Sequence, residues 1–494
     1  MQSFSLTTLG CKVNQYDSNA AAMILRRAGW TRAPTGERAD LIVINTCCVT
    51  AAAMRKSRQA VRRAIRASPG AAVIVAGCYA DYDGRRIVEL LDSMAVSHDR
   101  VLVTGHHDDT PARLRAFLRS IGVRQSCVPG ESFPGFERPG GRRNDGWMNA
   151  GKAPGAVFYG PASIKQRRTV AVKSNLPAGG LSGIDRFDGR QRAFVKVQDG
   201  CDAFCSFCIV PFTRCRLHSR PIDEAVDECR RLVSAGHREI VLSGVFLGAY
   251  GRPTAIRRRW SPREPSQLPE LLRRVARIEG LWRVRLSSLE PGDLTEGLLG
   301  VCRDEPTVAP HLHLPLQSGS AEILRRMNRQ YTPEEYRQTV RRLRDALDDP
   351  AITTDIIVGF PGETDEDFAA TLDLAEFAGF AKIHAFPFSA VEPTAAWRRR
   401  TEAPGPSLVR ERLAILAAAE SRSAVAFRRR FVGKVTEGIV ERARPGRTGR
   451  RQAMTDRYLT VHFAAPRGSR LTGRVVRLRI DAPTIDGLDG TLLD

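Results

Sequence analysis

Three thiols stand within eight residues in the stretch Gln198-Asp-Gly-Cys201-Asp-Ala-Phe-Cys205-Ser-Phe-Cys208-Ile-Val-Pro, with three and then two residues between them. The strand-like run Ala193-Phe-Val-Lys-Val leads straight into it. A loop this short can wrap its thiolates around one small metal centre. A structural zinc site closes with four ligands, usually as two distant pairs. A cubane iron–sulfur cluster ordinarily takes four cysteines, so three leave one iron open to an outside ligand. The stretch therefore reads as an iron–sulfur loop with an open iron, against which zinc and inert structural thiols are the competing readings.

A second set is spread through the first 80 residues. Cys11 follows the strand-like Ser3–Leu9 and Gly10, Cys47 follows the apolar run Asp40–Asn45, and Cys78 follows Ala71–Ala76 and Gly77. In a parallel open sheet the C-terminal ends of the strands share one edge, where such folds bind ligands. A single cysteine is most often inert core. Three at equivalent places, 36 and 31 positions apart, read instead as a second three-thiolate cluster. Cys48, next to Cys47, has to point elsewhere and reads as structural.

The elements that must position these thiols follow from periodicity. Helical patterns over 14–28, 51–67 and 111–120, with a fourth strand Val101–Val103, make residues 1–123 an N-terminal α/β domain with an open parallel sheet. Residues 124–190 are rich in Pro-Gly, Gly-Gly and charge and read as a mobile linker, within which Cys127 has no ligand role. From Ala193 strand and helix alternate through six strands: Ala193–Val197, Glu239–Leu242, Arg283–Ser287, His311–Leu314, Ile352–Val358 and Lys382–Phe386. Residues 191–427 are thus an open partial (β/α)6 barrel, with function on the loops after its strands.

Those loops hold the candidate cofactor-binding residues. Ser243 and Gly244 follow the second strand, Ser288 and Glu290 the third, and Gln317 the fourth. Glycine lets a backbone approach an adenosine or methionine ligand closely, and the polar side chains suit ribose hydroxyls or an amino group. Ordinary βα turns with capping residues explain any one of them equally well. His311 and His313 alternate along a strand and face one side, a pattern more often packed and hydrogen-bonded than metal-bound. Residues 428–494 change to short strands, Val435–Glu441, Tyr458–Phe463 and Arg474–Ile480. They read as a small antiparallel β-barrel carrying Arg442, Arg444, Arg447, Arg450, Arg451, Arg467 and Arg470.

Charge names the class of partner. The 494 residues, enough for two to four domains, hold 76 Lys plus Arg against 54 Asp plus Glu, a net charge of +22. A basic β-barrel on an α/β enzyme points to RNA docked through its phosphates, with a merely solvated surface as the alternative. Eleven cysteines without regular disulfide spacing, and no signal-peptide pattern at Met1, suit a cytoplasmic protein. No apolar run reaches the ~18 residues of a membrane span, so no membrane partner is expected.

Cys201-x3-Cys205-x2-Cys208 resembles the cluster loop of the radical S-adenosylmethionine enzymes, and the three-domain order resembles their methylthiotransferases, whose C-terminal barrel is called TRAM. Thr8-Leu-Gly-Cys11-Lys-Val-Asn-Gln-Tyr16, Asn45-Thr-Cys47-Cys-Val-Thr50 and Gly77-Cys78-Tyr-Ala look like the branch acting on threonylcarbamoyladenosine in tRNA. His313-Leu-Pro-Leu-Gln-Ser-Gly-Ser, Arg326-Met-Asn-Arg-Gln-Tyr-Thr, Asp355-Ile-Ile-Val-Gly-Phe-Pro-Gly-Glu-Thr and Thr455-Asp-Arg-Tyr-Leu match as well. The resemblance implies two 4Fe-4S clusters. One, on Cys201, Cys205 and Cys208, reduces S-adenosylmethionine to a radical that takes the C2 hydrogen of an adenine. The other, on Cys11, Cys47 and Cys78, delivers the methylthio group. It further implies a tRNA anticodon loop as substrate, an electron donor such as flavodoxin or ferredoxin, and a sulfur source.

Three features depart from the family: a longer linker, Cys215 where glycine is usual, and Phe246 where histidine is frequent. Rival readings are the isopentenyladenosine and ribosomal-protein aspartate branches and a zinc-dependent RNA-binding protein. A radical enzyme with a small substrate is disfavoured by the basic barrel.

Overall fold

The computed structural model describes residues 2–106, 110–121, 183–261, 263, 265–442, 450–466 and 468–493. Residues 124–182 of the expected linker, Cys127 included, lie outside them, as do Arg444, Arg447 and Arg467. The chain divides into two compact units. One comprises Met1–Gly10, Ala20–Cys48 and Ala52–Leu181, and the other Cys11–Asn19, Val49–Ala51 and Ser182–Asp494.

In the first unit β1 (Ser3–Thr8), β2 (Thr31–Arg32), β3 (Leu41–Thr46), β4 (Ala72–Gly77) and β5 (Val101–Thr104) form one parallel sheet in the order β2-β1-β3-β4-β5. β3 reads Leu-Ile-Val-Ile-Asn-Thr and is buried at every position, as a central parallel strand covered on both faces must be. Phe4, Leu25, Trp30, Val43, Ile74 and Phe117 lie in its core. The order turns back between β1 and β3, the switch point at which such sheets bind ligands. The chain runs on from those two strands into Cys11 and Cys47.

The helix Cys78–Asp92, absent from the sequence expectations, starts at the third cysteine itself. Asp83 leaves helical geometry inside it (φ −153°, ψ 61°), which breaks the periodic pattern. Gly77 before it has φ +97°, and a Cβ there would stand 2.2 Å from Asn45 Oδ1 and 2.6 Å from the Thr46 carbonyl. Only glycine lets β4 end that close to β3.

The second unit holds the partial barrel. β6 (Arg192–Lys196) leads through the two-residue ribbon of β7 (Gln198–Asp199) and β8 (His218–Ser219) to β9 (Glu239–Ser243) and β10 (Arg283–Leu286). These strands make a parallel sheet ordered β10-β9-β6, and β11 (His311–His313), β12 (Ala351–Val358) and β13 (Lys382–Pro387) make another. A parallel bridge between Val284 and Val308 and the Leu289 amide donated to the His313 carbonyl at 3.0 Å join the two halves. Capping boxes at Thr332/Glu335 and Thr364/Asp367 start two of the covering helices, Pro333–Ala346 and Asp365–Ala378.

The C-terminal strands β14 (Val435–Val440), β15 (Arg450–Thr455), β16 (Thr460–Ala464), β17 (Val475–Pro483) and β18 (Leu488–Leu493) close into a barrel ordered β14-β15-β16-β18-β17. Two of its strands, β15 and β18, were not foreseen. The β16–β18 pair is parallel, so the barrel is not antiparallel throughout. Closure leaves no free edge, which is what the returning last strand achieves. Phe427 and Phe431, at the end of the helix Pro406–Arg429 and just past it, share a core with Phe463, Leu478 and Ala351. The linker is also shorter than expected. Ile184 and Phe187 are buried, and the Phe187 and Asp188 amides donate to His237 Nε2 (3.1 Å) and Asn19 Oδ1 (3.0 Å), so 183–190 is packed chain.

Candidate active site

The Cys201–Cys208 loop is held from two sides. The Cys201 amide donates to the Arg214 carbonyl at 3.0 Å, and a Cβ on Gly200 (φ +77°) would lie 1.8 Å from the Arg216 carbonyl. Opposite, the Asn328 side-chain amide donates to the carbonyls of Ala203 (3.2 Å) and Phe204 (3.0 Å), while the Ser206 amide donates to the Met327 carbonyl at 2.9 Å. Phe204 and Asn328 both sit in the left-handed region, at φ +51° and +57°. Non-glycine residues stay there only where their surroundings over-determine the backbone, commonly at functional sites.

Cys201 and Cys205 pack with Ala203, Ala249, Ala255 and Phe246. Phe246, the departure from the family pattern, is thus a wall of this loop, fixed by its amide donating to Gln198 Oε1 at 2.7 Å. Burial, then the neighbouring thiols, pushes Cys201 upward, and burial beside Cys205 pushes Cys208 up to about 12. Crowded, desolvated thiols resist ionisation, and a cationic iron centre held here would supply the charge that keeps them thiolates. The donor set and its surroundings fit a cluster with three protein ligands. Among the described residues no group of three or more His, Cys, Asp or Glu is arranged as a cage for one ion.

The candidate cofactor-binding residues separate into two kinds. Ser243 is fully buried, with its hydroxyl donated to the Val241 carbonyl at 3.4 Å, and the Gly244 amide donates to Ser287 Oγ at 3.4 Å. Glu290 pairs with both Arg257 and Arg329. Burial pushes its carboxyl up, but the two guanidiniums hold it below the usual carboxylate range. These three belong to the frame. Ser288 is exposed, and Gln317 sits at φ +64° with its amide donating to the Asp355 carbonyl at 2.8 Å. Gln317 is buried, and among the described residues neither of those two side chains makes a hydrogen bond. Sequence reasoning missed Arg329, whose Nη1 donates to Cys205 Sγ at 3.1 Å; the signal was the run Arg326-Met-Asn-Arg329. His313 pairs with Asp355 at 3.3 Å and hydrogen-bonds Thr353 at 2.9 Å, the packed role expected of it.

In the first unit Cys47 and Cys78 are buried at the C-terminal ends of their strands. Ser57 clamps Cys47, accepting its amide at 3.1 Å and donating to its carbonyl at 3.0 Å, and Cys78 Sγ lies 3.7 Å from His106 Nε2. Cys48 is fully buried. In the second unit Cys11 and Cys215 are exposed, and Cys11 Sγ lies 3.9 Å from Asn14 Oδ1. On the barrel Arg442, Arg450, Arg470, Arg474, Arg477 and Arg479 are exposed, a basic surface suited to phosphates. No helix among the described residues is long and apolar enough to cross a membrane.

Comparison with known proteins agrees with this geometry. Residues 195–375 match the radical SAM superfamily and 3–97 the uncharacterized protein family UPF0004. The chain is 31% identical to the threonylcarbamoyladenosine tRNA methylthiotransferase of Bacillus subtilis, over 97% of its own length and 94% of the relative's. It is 32% identical to the Chlamydia pneumoniae protein of that name, over 99% and 98%. It is also 35% identical to the tRNA-2-methylthio-N(6)-dimethylallyladenosine synthase of Anaeromyxobacter dehalogenans, over 98% and 93%.

Proposed function

The chain belongs to the radical S-adenosylmethionine tRNA methylthiotransferases, and we propose that within them it adds a methylthio group to C2 of threonylcarbamoyladenosine, 3′ of the anticodon. Enzymes of this family use S-adenosylmethionine and two 4Fe-4S clusters, which when bound supply the radical and the methylthio sulfur. Cys201, Cys205 and Cys208 hold one cluster, and Ser288 and Gln317 take polar groups of the S-adenosylmethionine. Cys11, Cys47 and Cys78 hold the other. Support for this second trio is the parallel order of β1, β3 and β4, whose C-terminal ends share one sheet edge.

The exposed arginines of the barrel hold the tRNA backbone. An adenine in an open anticodon loop is presented at less than the few kcal/mol needed to unstack a duplex base. A cytoplasmic location, a flavodoxin- or ferredoxin-type donor and a separate sulfur source belong to the same reading.

The observation that carries the choice of nucleoside is Gly10-Cys11-Lys12-Val-Asn, with a lysine directly after the first cluster cysteine. Mass spectrometry of tRNA nucleosides from a deletion strain tests it. Loss of 2-methylthio-threonylcarbamoyladenosine is expected. Loss of the isopentenyl counterpart instead would assign the chain to the other branch.

A further inference from the structure

The two phenylalanines of Phe386-Pro-Phe388, at the end of β13, have different surroundings. Phe388 packs edge-on against Phe360, with ring centroids 5.5 Å apart, on an apolar cluster that includes Ile323 and Met327. Phe386 is 46% exposed and makes no ring contact among the described residues. A single exposed phenylalanine is ordinary on an outer surface. Phe386 stands on an inner one.

Along β12 the residues Thr354, Ile356 and Val358 are buried, whereas Asp355 and Ile357 are half-buried. Thr354 Oγ1 and the hydroxyl of Tyr336, on the covering helix Pro333–Ala346, donate to the same Leu314 carbonyl at 2.7 and 2.8 Å. Thr354 and its alternates therefore face the helices, and Asp355 and Ile357 face the lumen of the partial barrel. In the β12–β13 register Asp355 is opposite His384 and Ile357 is opposite Phe386. His313, from β11, pairs with Asp355 at 3.3 Å, and its ring lies 6.1 Å from that of His384. His313, Asp355, His384 and Phe386 line one wall of the lumen. Ile357 and Phe207, the residue between Ser206 and Cys208, pack against the same apolar cluster, with Phe388. The wall therefore meets the loop of the Cys201 trio at the level of Phe386, at the C-terminal ends of the strands. Below that ring the wall is polar. Among the described residues the His384 side chain makes no hydrogen bond, and the Asp355 side chain meets His313 alone. An aromatic face beside open donors and acceptors suits a nucleobase, which stacks by its plane and hydrogen-bonds by its edge. An aliphatic occupant would leave the polar groups unmet.

We propose that Phe386 is the platform on which the target adenine of the tRNA stacks inside the lumen. This rests on a tRNA adenine being the substrate. It holds for the threonylcarbamoyl and the isopentenyl nucleoside alike, because the purine ring is common to both. Stacking on Phe386 replaces the neighbours that the base gives up when it leaves the anticodon loop, and so offsets part of the cost of presenting it.

The test measures binding and turnover by the reconstituted full chain, at one salt concentration, on anticodon stem-loops of three kinds: with threonylcarbamoyladenosine, with isopentenyladenosine, and with an abasic residue at that position. The wild type is expected to bind its base-bearing substrate about 10- to 100-fold tighter than the abasic stem-loop, the span of stacking one base on an aromatic ring. Phe386→Ala is expected to bring that ratio to within about twofold, and Phe386→Trp to retain most of it. A ratio unchanged in Phe386→Ala overturns the platform. So does an equal weakening of base-bearing and abasic stem-loops, which would make Phe386 a contact to the RNA backbone. Phe386→Ala binding RNA as the wild type does but S-adenosylmethionine more weakly would give the ring to the cofactor's adenine, which also overturns it. A wild-type ratio near one, with methylthio nucleoside still formed, overturns the platform and leaves the tRNA substrate standing. No product from either base-bearing stem-loop defeats both together.

Discussion

Asp17 and Arg214 form a buried ion pair, Oδ2 to Nη2 at 2.7 Å, with 5% and 3% of their side chains exposed. Arg214 also pairs with Asp199 at 2.8 Å and donates to Asn14 at 3.0 Å, while its carbonyl accepts the Cys201 amide. Lys196 reaches Asp17 at 2.6 Å from the end of β6. One arginine thus ties the segment Cys11–Asn19 to the loop of the Cys201 trio. Removing one partner of such a pair leaves uncompensated buried charge and costs about 3–5 kcal/mol. Arg214→Met should lower the urea midpoint accordingly, and an unchanged midpoint would show that the pair contributes nothing.

Asn328 holds the strained turn at Phe204. Asn328→Ala removes both side-chain bonds to the loop, each worth about 1 kcal/mol, and frees Phe204 from a conformation costing about 1–3 kcal/mol. Iron bound after anaerobic reconstitution should fall by up to roughly half, one cluster of two. Phe204→Gly, which takes the same φ without strain, should keep its iron. Full iron in Asn328→Ala would mean the loop does not depend on that clamp.

The two trios should fail differently. Cys201→Ala should abolish cleavage of S-adenosylmethionine. Cys47→Ala should form no methylthio nucleoside although cleavage persists, and product from that variant would remove Cys47 from the second cluster. Cys215 is exposed and outside both trios, so Cys215→Gly should leave iron content unchanged; a loss of about a quarter or more would make it a ligand.

A barrel that holds tRNA by its phosphates should make the affinity depend on salt. Log–log plots of the association constant against salt should fall with a slope of about −0.7 for each single-stranded phosphate neutralised. Paired replacement of Arg477 and Arg479, exposed on β17, should flatten that slope by about one to two units. A slope unaffected by their loss would place the RNA elsewhere.

Much of this was legible in the chain because it is local. The all-apolar β3 and the alternating strands and helices after Ala193 identify parallel α/β layers from period alone. The Cys201–Cys208 spacing is read within one loop, and Cys11, Cys47 and Cys78 follow the ends of β1, β3 and β4 in sequence. What stayed hidden depends on distant partners. Glu290 looks like an available carboxylate until Arg257, 33 residues away, folds onto it. The parallel pairing of β16 with β18 is set by barrel closure, and no local pattern encodes it. The stacking of Tyr458 on His311, with ring centroids 4.8 Å apart, is likewise set only by tertiary structure.

The central claim is that this chain methylthiolates threonylcarbamoyladenosine. The most direct measurement is nucleoside mass spectrometry after anaerobic reaction of the reconstituted protein with S-adenosylmethionine, reductant, sulfide and each of two tRNAs, one bearing threonylcarbamoyladenosine and the other isopentenyladenosine. The account predicts 2-methylthio-threonylcarbamoyladenosine from the first tRNA and no methylthio nucleoside from the second. Product from the isopentenyl tRNA alone, or from neither, would contradict it.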